Sequence, residues 1–391
     1  MSSAIPGVAA TLAEQEPEPG QEAPRYQVLV SLSDTKKQGW LAGIVTRTYA
    51  FGGGGLVLAD LQRPLTLVPT FELGDDGHAT TLHDDADLIG PKIATDVVVT
   101  GSVRLDAATR RHEVGVAVGK SQRRLVLLGP RRATVSRRGE VAFEEPAPFE
   151  TLTLGLQEAY GGYDEHAYLG LAPPVPGMPH LPGAFAYPRN PMGKGWIIDL
   201  DRRRADGLEL PRLEDPEQPL EAKRLFIADE RRWIDAPAPG HLGWVPHHCY
   251  PRVERLVGPL AGHLPPVRPI FESTRPDGDD LPAARITPRG LQGAAPGLAV
   301  ERLRGDELVV MRGMFPDAAE VSFSLPSERP EVAITMPAVG TRKPRPILQT
   351  VRVDLDSRTV SLTWFSGIRN AVAIPEDQIR RCSLEVGYTR I

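Results

Sequence analysis

Cysteine is scarce in this chain, with only Cys249 and Cys382 among 391 residues. Two thiols cannot build a disulfide framework, and their scarcity suits a reducing compartment. No apolar run is long enough to span a bilayer as a helix. The N-terminus lacks the basic-then-apolar pattern of a secretory signal, so a cytoplasmic protein with no membrane partner is expected. Charge of one sign is not in excess either. The formal net charge is −5 and spread along the chain, which leaves no basic footprint for nucleic acid. Catalytic signatures are also missing. There is no Gly-x-Ser-x-Gly elbow. Gly193-Lys194-Gly195 lacks the Walker glycine spacing and the Ser or Thr after the lysine. Asp84-Asp85 and Asp87 lack the glycine and terminal glutamate of an EF-hand loop. The residues therefore imply no cofactor and no bound metal.

Glycine and proline, by contrast, are plentiful, at 38 and 39 residues. That content favours short strands joined by many turns over a helical protein. Residues 1–24 include the acidic, Pro-rich run Glu14 to Gly20 and read as a disordered tail. Residues 25–274 form a β-rich core, and residues 281–391 a C-terminal β-rich region beyond the polar break Arg275 to Asp280. Tyr26 to Leu32, Leu41 to Tyr49 and Leu56 to Leu58 have strand composition. Val97 to Leu105 reads as one strand, and in His112 to Val118 the valines Val114, Val116 and Val118 alternate with Gly115 and Ala117. With Leu125 to Leu128 and Val141 to Phe143 these predict an antiparallel meander. Val351, Val353 and Leu355, followed by Asp356-Ser357-Arg358 and then Val360, Leu362 and Trp364, predict a hairpin with one apolar and one polar face. Leu152, Leu156 and Tyr160 recur at helical spacing, which predicts a helix from Phe149 to Tyr160 stopped by Gly161-Gly162. A short helix is expected within Leu220 to Trp233. Leu169 to Met192 and Pro237 to Pro251 are too rich in Pro and Gly to be regular.

Each residue group with chemical potential has a bland counterpart. His247-His248-Cys249 suggests a metal cluster or a nucleophile with its base. Zinc needs three or four ligands, however, and adjacent side chains diverge, so a packed loop is the simpler reading. Asp84, Asp85, Asp87 and the Asp164-Glu165 pair could supply acid and base, but such residues more often solvate turns. Arg123-Arg124, Arg131-Arg132 and Arg137-Arg138 sit near strand ends. They suggest either a basic stripe for an acidic partner or strand edges blunted by charge. Gly193-Lys194-Gly195 is read as a turn entering a strand from Trp196 to Leu200.

Several ordered segments together resemble a known family. They are Gly90-Pro91-Lys92 with Ala94-Thr95-Asp96-Val97-Val98-Val99, Gly129-Pro130-Arg131-Arg132, Pro148-Phe149, Ala159-Tyr160-Gly161-Gly162, Asn190-Pro191-Met192-Gly193-Lys194-Gly195 with Trp196, and Gly243-Trp244. This pattern resembles the family designated domain of unknown function 2169. Arg304 to Gly313 and Phe323-Ser324-Leu325-Pro326 extend the likeness more loosely. The resemblance implies a cytoplasmic adaptor or chaperone of type VI secretion systems, whose partner is a secreted effector, a spike protein or both. It carries no catalytic residues. Lys92, Asp96, Tyr160, Gly161, Gly162, Asn190, Gly193, Lys194, Gly195, Trp196 and Trp244 are its candidate motif or partner-binding residues.

The expected fold is mostly β, with antiparallel sheets in a sandwich-like arrangement, long Pro/Gly-rich loops and few short helices. The expected function is binding without catalysis. The alternatives are a hydrolase-like enzyme using the His247/Cys249 region and a structural component of a contractile injection apparatus.

Overall fold

Short apolar runs rich in valine, cut by glycine and proline, cannot persist as helices and satisfy their backbone groups by pairing as strands. The computed structural model describes residues 9–13, 26–33, 39–52, 55–73, 79–162, 164, 186–197, 202–226, 233, 235–246, 249, 252, 291–370 and 374–391. Its first strands are β1 (Ala9–Ala13), β2 (Gln27–Ser33), β3 (Gly39–Gly52), β4 (Gly55–Leu58), β5 (Thr70–Leu73) and β6 (Ala79–Asp84). Next come β7 (Thr95–Thr100), β8 (Ser102–Thr109), β9 (Arg111–Val118), β10 (Ser121–Leu128), β11 (Ala133–Val135), β12 (Val141–Phe143) and β13 (Phe149–Thr153). Short strands β14 (Tyr160–Gly161), β15 (Lys194–Gly195), β16 (Leu213–Glu214) and β17 (Ala299–Val300) follow. The chain then forms β18 (Leu308–Phe315), β19 (Ala318–Ser324), β20 (Glu328–Met336), β21 (Gly340–Arg342), β22 (Ile347–Asp354) and β23 (Thr359–Asn370). A single helical turn, α1 (Glu376–Ile379), precedes β24 (Ser383–Arg390).

The main sheet runs β1-β2-β3-β23-β22-β7-β17, with β4 on the far end of β3. Its pairs are antiparallel except β7 with β22, which is parallel. A second sheet runs β16-β10-β9-β18-β19. Val97 and Val99 from β7, Val351 and Val353 from β22, and Val360 and Leu362 from β23 share one core with Val114, Val116 and Val118 from β9 and Met311 from β18. This common core makes the two sheets a sandwich. A third sheet, β21-β20-β24, packs beside the second on the same face of the main sheet, where Leu41 and Val45 of β3 meet Val332 and Ile334 of β20 and Val45 is in register with Trp364 of the first core. Along β2, Val28, Val30 and Leu32 point to one cluster, while Leu29 points to the other with Val332 and Ile334 of β20. The alternate burial explains the unbroken apolar run Val28-Leu29-Val30 within β2. The fold is thus mostly β and sandwich-like, as the composition implies.

Strands from the first and last thirds of the chain interleave. β23 lies between β3 and β22, and β18 lies against β9. Ala9–Ala13, within the segment expected to be a disordered tail, pairs antiparallel with β2.

Several local expectations need correction. Phe149 to Tyr160 is not a helix: it forms β13, a 3-10 turn at Leu156–Glu158 and then β14. Leu152, Leu154 and Leu156 also alternate with period two, so the apolar positions fit a strand as well as a helix. The pairing of β13 with β8 decides in favour of the strand. Val97 to Leu105 is two strands. Gly101, at φ 94°, turns the chain out of the main sheet into β8, and a Cβ there would lie 2.8 Å from the Asp356 carboxylate. The expected meander is therefore broken: β9 and β10 form a hairpin in the second sheet, β8 pairs with β13, and β11 pairs with β12. The short helix sought in Leu220 to Trp233 is a 3-10 turn, Ala222–Arg224. The pairing that begins at Lys194–Gly195 precedes the strand expected from Trp196, and residues 198–200 lie outside the described residues. The same holds for most of Leu169 to Met192, for the break Arg275 to Asp280, and for His247, His248 and Glu165.

The β22–β23 hairpin forms as expected, with Asp356-Ser357-Arg358 in its turn. Its polar face, however, is buried. Ser361 Oγ lies 2.9 Å from Thr48 Oγ1. Arg352 and Thr363 reach Asp84 and Asp87, at 2.7 and 3.4 Å. Arg63 lies 3.3 Å from each of the same two carboxylates. The acidic run Asp84 to Asp87 is thus part of an internal ion-pair network, and these residues do not act as solvated turn residues.

Candidate functional site

The motif residues gather in two places. The first surrounds the start of β7. Lys92 precedes the strand and Asp96 lies within it, at 2% and 0% exposure, with Nζ and Oδ2 2.6 Å apart. A buried charge is tolerated only when its remaining hydrogen-bonding capacity is used, and here it is. The Lys92 ammonium also donates to Thr350 Oγ1 at 3.2 Å and sits 5.2 Å from the centre of the Trp244 ring. Asp96 accepts from Gln292 Nε2 at 2.8 Å and from the Gly293 backbone N–H at 2.9 Å. A second buried pair, Arg252 with Asp85 at 2.6 Å, lies alongside, and Arg252 donates to the Val245 carbonyl at 2.9 Å. A side chain at Gly293 would come within 3.0 Å of both Arg252 and Asp85 and within 2.9 Å of Trp244. The two pairs therefore meet at this glycine. Together they fasten the segments around Trp244 and Gly293 to the main sheet. Burial leaves Lys92, Asp96 and Trp244 no surface to offer a partner, so we read them as supports of the fold.

The second place is the crossing of β14 and β15, which run parallel. Asn190 Nδ2 donates to the carbonyls of Leu156 and Tyr160 at 2.7 and 3.2 Å, and Gly162 N–H donates to the Asn190 carbonyl at 2.8 Å. Trp196 N–H donates to Gly161 O at 3.0 Å, and Lys194 N–H to Ala159 O at 3.0 Å. The rings of Tyr160, Tyr187 and Trp196 pack below, with Tyr187 and Trp196 centred 4.9 Å apart. Gly161, Gly162 and Gly193 are required here because the backbones nearly touch. This crossing explains the glycines of the motif. Lys194 alone sends its side chain outward, 3.3 Å from Glu158, where it lines a charged cleft.

The arginine pairs split in the same way. Arg131 is nearly buried and ion-paired with Glu214, and Arg123 pairs with Asp215 at 3.4 Å. Arg124, Arg132, Arg137 and Arg138 are exposed. The surface therefore carries one arginine from each of the first two doublets and both from the third. Neither the stripe nor the blunted-edge reading anticipates the inward arginines, whose glutamate and aspartate partners lie more than 80 residues away.

Cys249 is completely buried, and burial pushes its thiol well above the ordinary range. A nucleophile needs the opposite shift and an approach path. Among the described residues no group of three or more His, Cys, Asp or Glu side chains is placed to hold a metal ion. Asp164 is ion-paired with Arg204 at 2.5 Å.

His241 was missed as a sensitive position, because nothing in its sequence neighbourhood announces burial. Desolvation, helped by the nearby Arg123, pushes its pKa down to about 3, against an opposing backbone hydrogen bond at Gly243. An unfolded chain protonates histidine near the ordinary value of about 6.5. Between these values the unfolded state binds the extra proton, so stability is intact above the unfolded pKa and falls as pH is lowered towards the folded one. Between pH 7 and pH 5 the expected loss from this residue is about 2 kcal/mol. Urea unfolding at the two pH values should show that loss, and His241→Gln should remove most of it. An unchanged pH difference in the variant would contradict the assignment.

A family model described as "Uncharacterized protein conserved in bacteria (DUF2169)" matches residues 36–364. No curated protein and no solved structure matches the chain. The matched segment contains both motif clusters and most of the two sheets that form the sandwich, and the chain belongs to the DUF2169 family.

Proposed function

We propose that this protein is a cytoplasmic adaptor or chaperone. It binds a type VI secretion effector or spike component and keeps it soluble until loading. The resemblance described above supplies the system, and one surface feature supplies the physical support. Strand β4 pairs only with β3, so its outer edge carries no partner strand among the described residues. Val57 and Leu58 on it are 66% and 52% exposed, and Leu61 just beyond is 84% exposed. Soluble proteins normally protect strand edges with charge or proline and keep apolar side chains off them. An open apolar edge suits capture of an extended segment of another polypeptide by strand addition. No helix among the described residues is long and apolar enough to cross a membrane.

The test is co-purification with a type VI secretion effector or spike protein of the same genome. The wild-type chain should retain that client, and Val57→Lys combined with Leu58→Lys should lose it at an unchanged melting temperature. A client that stays soluble and is delivered without this protein would overturn the proposal.

A further inference from the structure

Beside the β14–β15 crossing, a half-open cleft of about 330 Å³ is lined by four cationic side chains, Arg131, Arg132, Lys194 and Arg212, and two carboxylates, Glu144 and Glu209. Two more glutamates, Glu158 and Glu214, pair with these cations. Yet most contacts are long for charge-assisted bonds, which settle near 2.7–2.9 Å. Arg132 reaches Glu209 at 3.4 Å, Lys194 stands 3.3 Å from Glu158 and 3.7 Å from Glu209, and Arg212 stands 3.7 Å from Glu158. Arg131 is the exception in its tight pair with Glu214, but its buried Nε has no hydrogen-bond partner. A guanidinium offers five N–H donors and an ammonium three, so the cleft holds donor capacity that its own glutamates do not use.

Glu209 is the weakest occupant. It is 57% exposed and bridges Arg132 and Lys194 at the distances just given, both too long for strong bonds. An incoming carboxylate could take its place between the same two cations at shorter range. The planar fork of Arg132 matches a carboxylate in two-point contact better than it matches a single point charge. The cations themselves are held in place from behind: Arg131 stacks over Phe143 at 5.4 Å, and Arg212 donates to the Leu128 carbonyl at 3.3 Å. A site with its donors fixed loses little freedom on binding.

We propose that this cleft binds a carboxylate-bearing ligand, carried on an acidic peptide or free as a small polycarboxylate, and that Glu209 is an internal occupant the ligand displaces. The site shares no residue with the β4 edge and stands or falls independently of the adaptor reading.

Titration calorimetry on the full chain at low ionic strength provides the test, with three probes: citrate, an acetylated and amidated triglutamate peptide, and inorganic phosphate. At least one carboxylate probe should bind saturably, and which one identifies the source of the ligand. Arg132→Ala combined with Lys194→Met should weaken that binding by about tenfold or more, since each removes a direct donor. Glu209→Gln should tighten it by about threefold or more, because removing a competing charge lowers the cost of entry. The gain in the second variant cannot come from misfolding, so it guards the result against an unfolded double variant. The proposal is overturned by the absence of saturable binding of citrate and peptide below about 10 mM. Phosphate binding at least as tight as either carboxylate would overturn it too, as would a Glu209→Gln variant with unchanged affinity.

Discussion

Replacing Asp96 by alanine should lower the unfolding free energy by about 3–5 kcal/mol, the cost of leaving a buried charge without its counter-ion. Lys92 would remain 2% exposed with only the Thr350 hydroxyl and the face of Trp244 for company. The Gly293 N–H and the Gln292 amide would lose their acceptor at the same time. Each such orphaned buried donor costs about 1–3 kcal/mol on its own. The decisive comparison is with the double variant Lys92→Met, Asp96→Leu. Removing both charges of a buried pair is often close to neutral, because the desolvation cost disappears along with the attraction. The double variant should therefore be clearly more stable than Asp96→Ala, despite carrying one more substitution. Urea melts of wild type, Lys92→Met, Asp96→Leu and the double variant form the required cycle. Losses that simply add would mean that the pair is not the electrostatic unit described, and the role given to Lys92 and Asp96 would fall.

What could be read before the structure follows from how far each interaction reaches along the chain. The alternation Val114, Val116, Val118 and the β22–β23 hairpin are local patterns, and both appear where the residues place them. The insertion of β23 between β3 and β22 is a pairing of Thr359–Asn370 with Gly39–Ala50, and no local pattern encodes it. The helix expected through Leu152 and Leu156 failed because leucines two and four apart satisfy both periods, and only the partner strand β8 breaks the tie. The candidate site behaved likewise. Lys92, Asp96, Asn190 and the glycines were legible as a set through resemblance. The burial of Lys92 and Asp96 was not, since it depends on Gln292, Gly293 and Thr350, about 200 or more residues further along. The polar face of the β22–β23 hairpin is legible as polar, but its burial is not, for the same reason: Arg352 and Thr363 are covered by Asp84 and Asp87 from far along the chain.

At the β14–β15 crossing, Gly161→Ala should cost about 3–5 kcal/mol, from backbone strain and overpacking together. Gly161 has φ 150°, a conformation that residues with a side chain rarely adopt, and a Cβ there would fall on the Asn190 carbonyl oxygen, far inside contact distance. That oxygen cannot retreat cheaply. It accepts the Gly162 N–H at 2.8 Å, while the Asn190 side chain is tied to the carbonyls of Leu156 and Tyr160. Moving it would also shift Trp196, whose N–H donates to Gly161 O, and with it the Tyr160–Tyr187–Trp196 cluster. The proper control is Gly207→Ala. Gly207 also has positive φ, at 78°, but nothing lies within 4 Å of its missing Cβ. Strain without a clash should cost about 1–2 kcal/mol there. Thermal and urea unfolding of the two variants, read with near-ultraviolet dichroism of the packed rings, separates the terms. A Gly161→Ala loss no larger than that of Gly207→Ala would show that the crossing can open, and the motif glycines would then need another explanation than the close approach of two backbones.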